Sequence, residues 1–174
     1  MPKISGKKVL LIVAPGGFRD EELFETKAEL EAAGAATAVA SKKTGTITGM
    51  LGGKASATLA LAEASASDFD AVVFIGGGGS SVYFNDSAAH ALAKEAAGQG
   101  KILAAICIAP SILANAGLLH GKKATCFSSE ASNLRAKGAN YSGQPVTIDG
   151  KIITANGPGA AKEFGRKIAE ALAQ

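Results

Sequence analysis

Apolar residues in this chain come in short unbroken runs set between stretches of helical periodicity. Lys8–Ala14, Phe69–Ile75 and Lys101–Ile106 read as continuous apolar strands, and Ala36–Ser41 as a further one. Strands that are apolar at every position are buried on both faces, as in a parallel sheet. Asp20–Ala33 predicts a helix capped by Asp20 and ended by Gly34. Further helices are expected over Asp86–Ala97, Ile108–Gly117 and Ser128–Ala136, and Ala160–Ala173 closes the chain as an amphipathic one.

Residues 44–56 predict a glycine-punctuated hairpin at the sheet edge. Ala124–Phe127 reads as one more short strand, and Val146–Asp149 with Lys151–Ala155 as a second hairpin turning at Asp149-Gly150. Alternating strands and helices predict an α/β fold: one domain over residues 1–174, a three-layer sandwich whose mostly parallel sheet is covered on both faces.

Composition agrees with a packed core, since 47% of the 174 residues are hydrophobic and 19% charged. Ile102–Leu119 carries no charge and is long enough to suggest a membrane span. It contains Pro110, Ser111, Asn115 and Gly117 and divides into a strand and a helix, so a core element is expected instead. Lys3, Lys7 and Lys8 before Val9–Ala14 imitate a signal peptide, but that apolar run is short and ends at Pro15-Gly16-Gly17. A cytoplasmic protein with no membrane partner is expected. The net charge is +3, and the lysine pairs Lys7-Lys8, Lys42-Lys43 and Lys122-Lys123 are scattered, so nucleic acid is not an expected partner. Cys107 and Cys126 read as reduced thiols, and neither they nor the two histidines show metal-ligand spacing. No metal or cofactor is called for.

Candidate chemistry collects at the carboxyl ends of the strands, where open α/β sheets place their sites. Three loops meet there: Pro15–Asp20, Gly76–Ser81 and the turn at Cys107. Cys107 interrupts an apolar strand at the point where a helix begins, the arrangement of a nucleophile elbow. N–H groups at the start of that helix would favour a thiolate, so a thiol pKa below the free value of about 8.5 is expected. Phe18-Arg19-Asp20-Glu21-Glu22-Leu23 supplies acids beside it. Such acids commonly complement the helix dipole, but one placed against the thiol would share its proton and shuttle protons to a substrate. Gly76–Gly79 completes neither a dinucleotide fingerprint nor a phosphate loop, but its bare backbone can approach a ligand and build an oxyanion hole with the Ile108 N–H. His120 is expected roughly 15 Å away at the other end of the sheet. His90 shares a helical face with Lys94 and reads as solvent-exposed. Cys126 reads as structural, while Arg135 and Tyr141 are left between the site and an oligomer surface.

Taken together, Phe18–Leu23, the strand into Gly76-Gly77, Ala105–Pro110 and Thr154–Gly159 resemble the DJ-1/ThiJ/PfpI superfamily nearly end to end. The resemblance implies a flavodoxin-like, class I glutamine amidotransferase-like fold that assembles as homodimers or larger homo-oligomers. It implies Cys107 as nucleophile, Glu22 as its paired acid, and Gly77 and Ile108 as oxyanion N–H donors. The histidine that the peptidase-like branch carries after its cysteine is Ile108 here, and the one that the animal branch carries near the end of the next strand is Phe127. That speaks against proteolysis. Ile108, Tyr83, Phe84 and Phe127, with Asn156, are expected to line a tight pocket for a small-molecule substrate. The resemblance favours a glyoxalase-III-like or deglycase enzyme acting on small reactive carbonyls. Redox sensing through Cys107, an amidase or peptidase completed by another subunit's histidine, and a small-molecule hydratase are the alternatives.

Overall fold

The protein, described here by a computed structural model over residues 3–174, is built around a seven-stranded sheet. In chain order, β1 is Lys8–Ile12, β2 Gly16–Phe18, α1 Asp20–Ala32, β3 Ala36–Ser41, β4 Gly45–Gly49, β5 Lys54–Ala57 and β6 Leu59–Ala60. Then come β7 Ala71–Phe74, α2 Ser87–Gly98, β8 Ile102–Ile106, α3 Pro110–Asn115, β9 Lys123–Ala124 and α4 Ala131–Ala136. β10 Asn140–Tyr141, β11 Val146–Asp149, β12 Ile152–Ala155 and α5 Ala161–Leu172 complete the chain. The sheet order is β11-β12-β8-β7-β1-β3-β6, parallel except for the antiparallel β11–β12 hairpin at one edge.

Period-two alternation along β1 shows how the layers form. Val9, Leu11 and Val13 join the core beneath α1 and α5, with Leu23, Leu30, Phe164 and Ile168. Leu10, Ile12 and Ala14 face the opposite core, closed by Leu92 of α2, Ile112 of α3 and Leu134 of α4. The three-layer reading of the sequence therefore holds. Ile102–Leu119 resolves into β8 and α3, and among the described residues no helix is long and apolar enough to cross a membrane.

Several local expectations change. The hairpin in 44–56 leaves the edge of the main sheet and, as β4 and β5, joins β2 in a separate three-stranded sheet. Asp20 caps no helix: Arg19 is the N-cap of α1 and makes no side-chain cap bond, while both Asp20 carboxylate oxygens accept N–H groups of the β4–β5 turn. The strand expected at Ala124–Phe127 shrinks to β9, paired with β10, and Ser128–Ala136 opens as a 3₁₀ turn before α4. The helix after Cys107 begins at Pro110 rather than Ile108. Proline's fixed φ and missing N–H suit a first helical position.

Candidate active site

Cys107 follows the fully buried β8 directly and has φ 66°, the only positive φ at a non-glycine among the described residues. That conformation costs an L-residue about 1–2 kcal/mol. The backbone is pinned on both sides: the Cys107 N–H donates to the Ala155 carbonyl at 2.9 Å, and its own carbonyl accepts the Phe127 N–H at 2.8 Å. The turn then folds back through Ala109 N–H to Ile106 O at 3.1 Å. A strained residue held by its neighbours is the elbow read from the sequence.

Glu22 reaches this elbow from the first turn of α1. With Leu23, Thr26 and Leu30 it forms the inward stripe of that helix, and its side chain is wholly buried. No hydrogen-bond partner of full geometry reaches either carboxylate oxygen, although the Cys107 thiol and Gly76 N–H lie near enough to favour its charge. Gly76 is the residue that lets the two groups meet. A methyl group there would stand 2.5 Å from Glu22 Oε1 and 2.6 Å from Cys107 Cβ, so any side chain would drive α1 away from the elbow. Next to it, Gly77 takes φ 101° against the Arg19 backbone. The buried Ser80 holds this turn closed, its Oγ donating to Gly77 O at 2.8 Å. Arg19 N–H donates to Gly76 O at 3.0 Å, tying the start of α1 to the same strand end.

Burial pushes the Glu22 carboxyl up to about 7, against the opposing pull of Cys107 and Gly76 N–H. The expected low thiol pKa is reversed. Burial first, and then the negative charge of Glu22, push Cys107 up to about 12, outweighing the N–H groups of Gly77 and Ile108 that favour sulfur's charge. Two acids in one dry pocket cannot both ionise cheaply, so the pair gives up its first proton near neutrality and keeps the second.

The sulfur opens into a cavity of about 270 Å³. The expected Ile108, Phe127 and Gly77 line it, joined by Gly78, but Tyr83, Phe84 and Asn156 do not. The 3₁₀ turn at Gly78–Tyr83 carries Tyr83 under the other face of the sheet, where its hydroxyl donates to Val13 O at 2.9 Å. Phe84 packs against the α2–α3 core, and Asn156 N–H donates to Pro145 O at 2.9 Å beside the pocket. Their places are taken by Arg19, Met50, Ser129 and Pro158. Met50 and Arg19 carried no periodic signal, because both arrive through contacts between distant loops.

Larger clefts of about 320 and 380 Å³ lie at the other end of the strands, around Lys101 and Lys151, and neither is lined by a cysteine. His120 lines the second of these. His90 is half-buried rather than exposed, its Nε2 2.8 Å from Phe84 O. Cys126 sits 1% exposed in the α2–α3–α4 core, and Arg135 stacks 4.9 Å over the Tyr141 ring away from the cavity. Among the described residues no three metal-ligating side chains gather.

The chain is similar to known proteins in sequence and fold. An uncharacterised protein of Methanocaldococcus jannaschii is 39% identical over 95% of this chain and 82% of its own length. A protein of Thermococcus kodakarensis named a deglycase is 31% identical, over 94% and 98%. The crystal structure of a ThiJ/PfpI domain protein from Brachyspira murdochii superposes with a TM-score of 0.94 at 38% identity, covering 96% of this chain and 98% of that one. The DJ-1/PfpI family model matches residues 7–171. With its flavodoxin-like α/β fold, the chain belongs to the DJ-1/PfpI family.

Proposed function

We propose that this protein is a cysteine-dependent enzyme acting on small reactive carbonyl compounds, as a glutathione-independent glyoxalase or a deglycase. The observation that carries the reading is the Cys107–Glu22 pair, with the N–H groups of Gly77 and Ile108 turned to the sulfur at the base of a small cavity. Relatives named deglycases support it.

With the pair singly ionised, the thiol passes its proton to the Glu22 carboxylate as sulfur attacks the aldehyde carbon of a methylglyoxal-like substrate. The new C–S bond forms as the carbonyl π pair moves to oxygen. That oxyanion is held by the two N–H donors until Glu22 protonates it, giving a hemithioacetal. Glu22 then carries the C1 proton to C2 while the C1 hydroxyl proton passes to the C2 oxygen, leaving a lactoyl thioester. Water cleaves the C–S bond and releases lactate with the thiol restored. Starting from an amine adduct of the same dicarbonyl, sulfur displaces the amine at the carbinol carbon, the nitrogen leaving with the proton that Glu22 took from the thiol, and the sequence is entered at the hemithioacetal. No step needs imidazole, which suits a chain with Ile108 and Phe127 at the positions where relatives carry histidine.

The test is lactate formation from methylglyoxal without glutathione. Wild-type protein is expected to turn over, Cys107→Ser to lose about three orders of magnitude or more, and Glu22→Gln to lose a comparable share. A wild type that forms no lactate while its Cys107 oxidises selectively to a sulfinate would replace this reading with redox sensing.

A further inference from the structure

One cation faces the nucleophile. Among the described residues lining the cavity, Arg19 is the only charged side chain besides the Cys107 nucleophile, and the rest of the wall is apolar or neutral, from Met50 and Phe127 to Ser129 and Pro158. Its backbone is fixed to Gly76, so its Cα holds a constant place beside the elbow. Its guanidinium is oriented too: Nε and Nη2 donate to the two oxygens of Glu21 at 3.0 and 2.9 Å. That fork engages one edge of the planar group, leaving Nη1 and the second Nη2 hydrogen as donors. Arg19 also feels the charges of Glu22 and Cys107. A half-exposed, pre-oriented guanidinium at the rim of an apolar cavity is a carboxylate receptor.

Building on the carbonyl-acting reading of Cys107, we infer that the site selects small carbonyl compounds bearing a carboxylate. Arg19 takes the carboxylate and Cys107 the carbonyl carbon. The substrate class is a 2-oxoaldehyde with an acidic tail. A 2-oxoaldehyde of this kind, 4,5-dioxopentanoate, would add one water and give 2-hydroxyglutarate by the internal proton transfer described above, with no external oxidant or reductant. Glu21 tempers the attraction, because its charge lies against the same guanidinium.

Alkylation of Cys107 tests the charge preference without requiring turnover. Iodoacetate and iodoacetamide react identically: the C–S bond forms as C–I breaks, iodide leaves with the electron pair, and the sulfur's proton passes through Glu22 to solvent. They differ chiefly in charge. The iodoacetate-to-iodoacetamide rate ratio at Cys107, read by mass spectrometry, should fall about fivefold in Arg19→Gln and rise in Glu21→Gln. Arg19→Lys should retain part of it. A ratio unchanged in Arg19→Gln overturns the inference, whatever the protein does with methylglyoxal. In the turnover arm, kcat/KM for 4,5-dioxopentanoate over methylglyoxal should exceed one and drop in Arg19→Gln by a similar factor. A ratio insensitive to Arg19 also overturns it. Absence of turnover with both compounds would instead defeat the carbonyl reading and leave the alkylation ratio to decide the role of Arg19.

Discussion

Cys107 and Cys126 are both free, both buried, and both pushed up to about 12, largely by burial. Yet they stand in different chemistry. Cys126 lies 1% exposed inside the helix-covered core, with Glu130 opposing its ionisation and Arg135 favouring it from a distance. Cys107 sits at a strained turn on the wall of a cavity, with a buried carboxyl able to take its proton and two backbone N–H groups turned to its sulfur. Burial and proton affinity alone would not tell them apart. What separates a nucleophile from a core thiol is a place to send the proton, a donor pair for the developing charge, and space for a substrate.

Replacing each thiol breaks the comparison most forcefully. In the lactate assay Cys107→Ser should abolish turnover, whereas Cys126→Ala should keep it within about twofold while lowering stability modestly, by about 1 kcal/mol. Equal losses from both would show that the two thiols act together.

Stability against pH gives the next largest contrast. Glu22 holds its proton in the folded protein to about 7, against a reference value of 4.5. The folded state therefore binds the extra proton between those limits, and its contribution is present below 4.5 and lost as pH rises through 7. The loss is about 3 kcal/mol. Glu22→Gln should lack that slope, so the difference in stability between variant and wild type should change with pH between those limits. A difference independent of pH would mean that Glu22 is not held neutral.

The smallest effect is conformational and has opposite signs at the two sites. Cys107→Gly should be more stable than Cys107→Ala by about 1 kcal/mol, because glycine accepts a positive φ that alanine resists. At position 126, outside the positive-φ residues, the alanine variant should be the more stable by a similar amount. Urea denaturation of the four variants measures both.

How much of this was legible beforehand follows from the range over which each feature is encoded. The unbroken apolar runs of β1, β7 and β8 and the break at Cys107 are local, and they sufficed for the layers, the parallel sheet and the elbow. The acids of Phe18–Leu23 were visible, but the choice of Glu22 came from resemblance, since periodicity does not say which acid of a first turn faces inward. Asp20 looked like a cap because its partners, the N–H groups of Leu51 and Gly53, lie on a hairpin whose docking is tertiary. Tyr83 and Phe84 follow the glycine loop in sequence but not in space, because the 3₁₀ turn at Gly78–Tyr83 sends them to the other face. The sign of the thiol's shift is not legible locally: the helix-start effect is readable in the sequence, whereas burial and the Glu22 charge depend on the assembled pocket.

The account rests on a Cys107–Glu22 pair that loses its first proton near neutrality, and the rate of Cys107 alkylation by iodoacetamide as a function of pH tests it most directly. Sulfur reactivity should follow the singly ionised pair, rising tenfold per pH unit below about 7 and levelling above it. Glu22→Gln should abolish that plateau, and Cys126 should stay unreactive throughout in the folded protein. A wild-type rate that climbs steadily past pH 9, unaltered by Glu22→Gln, would contradict the shared proton and with it the mechanism.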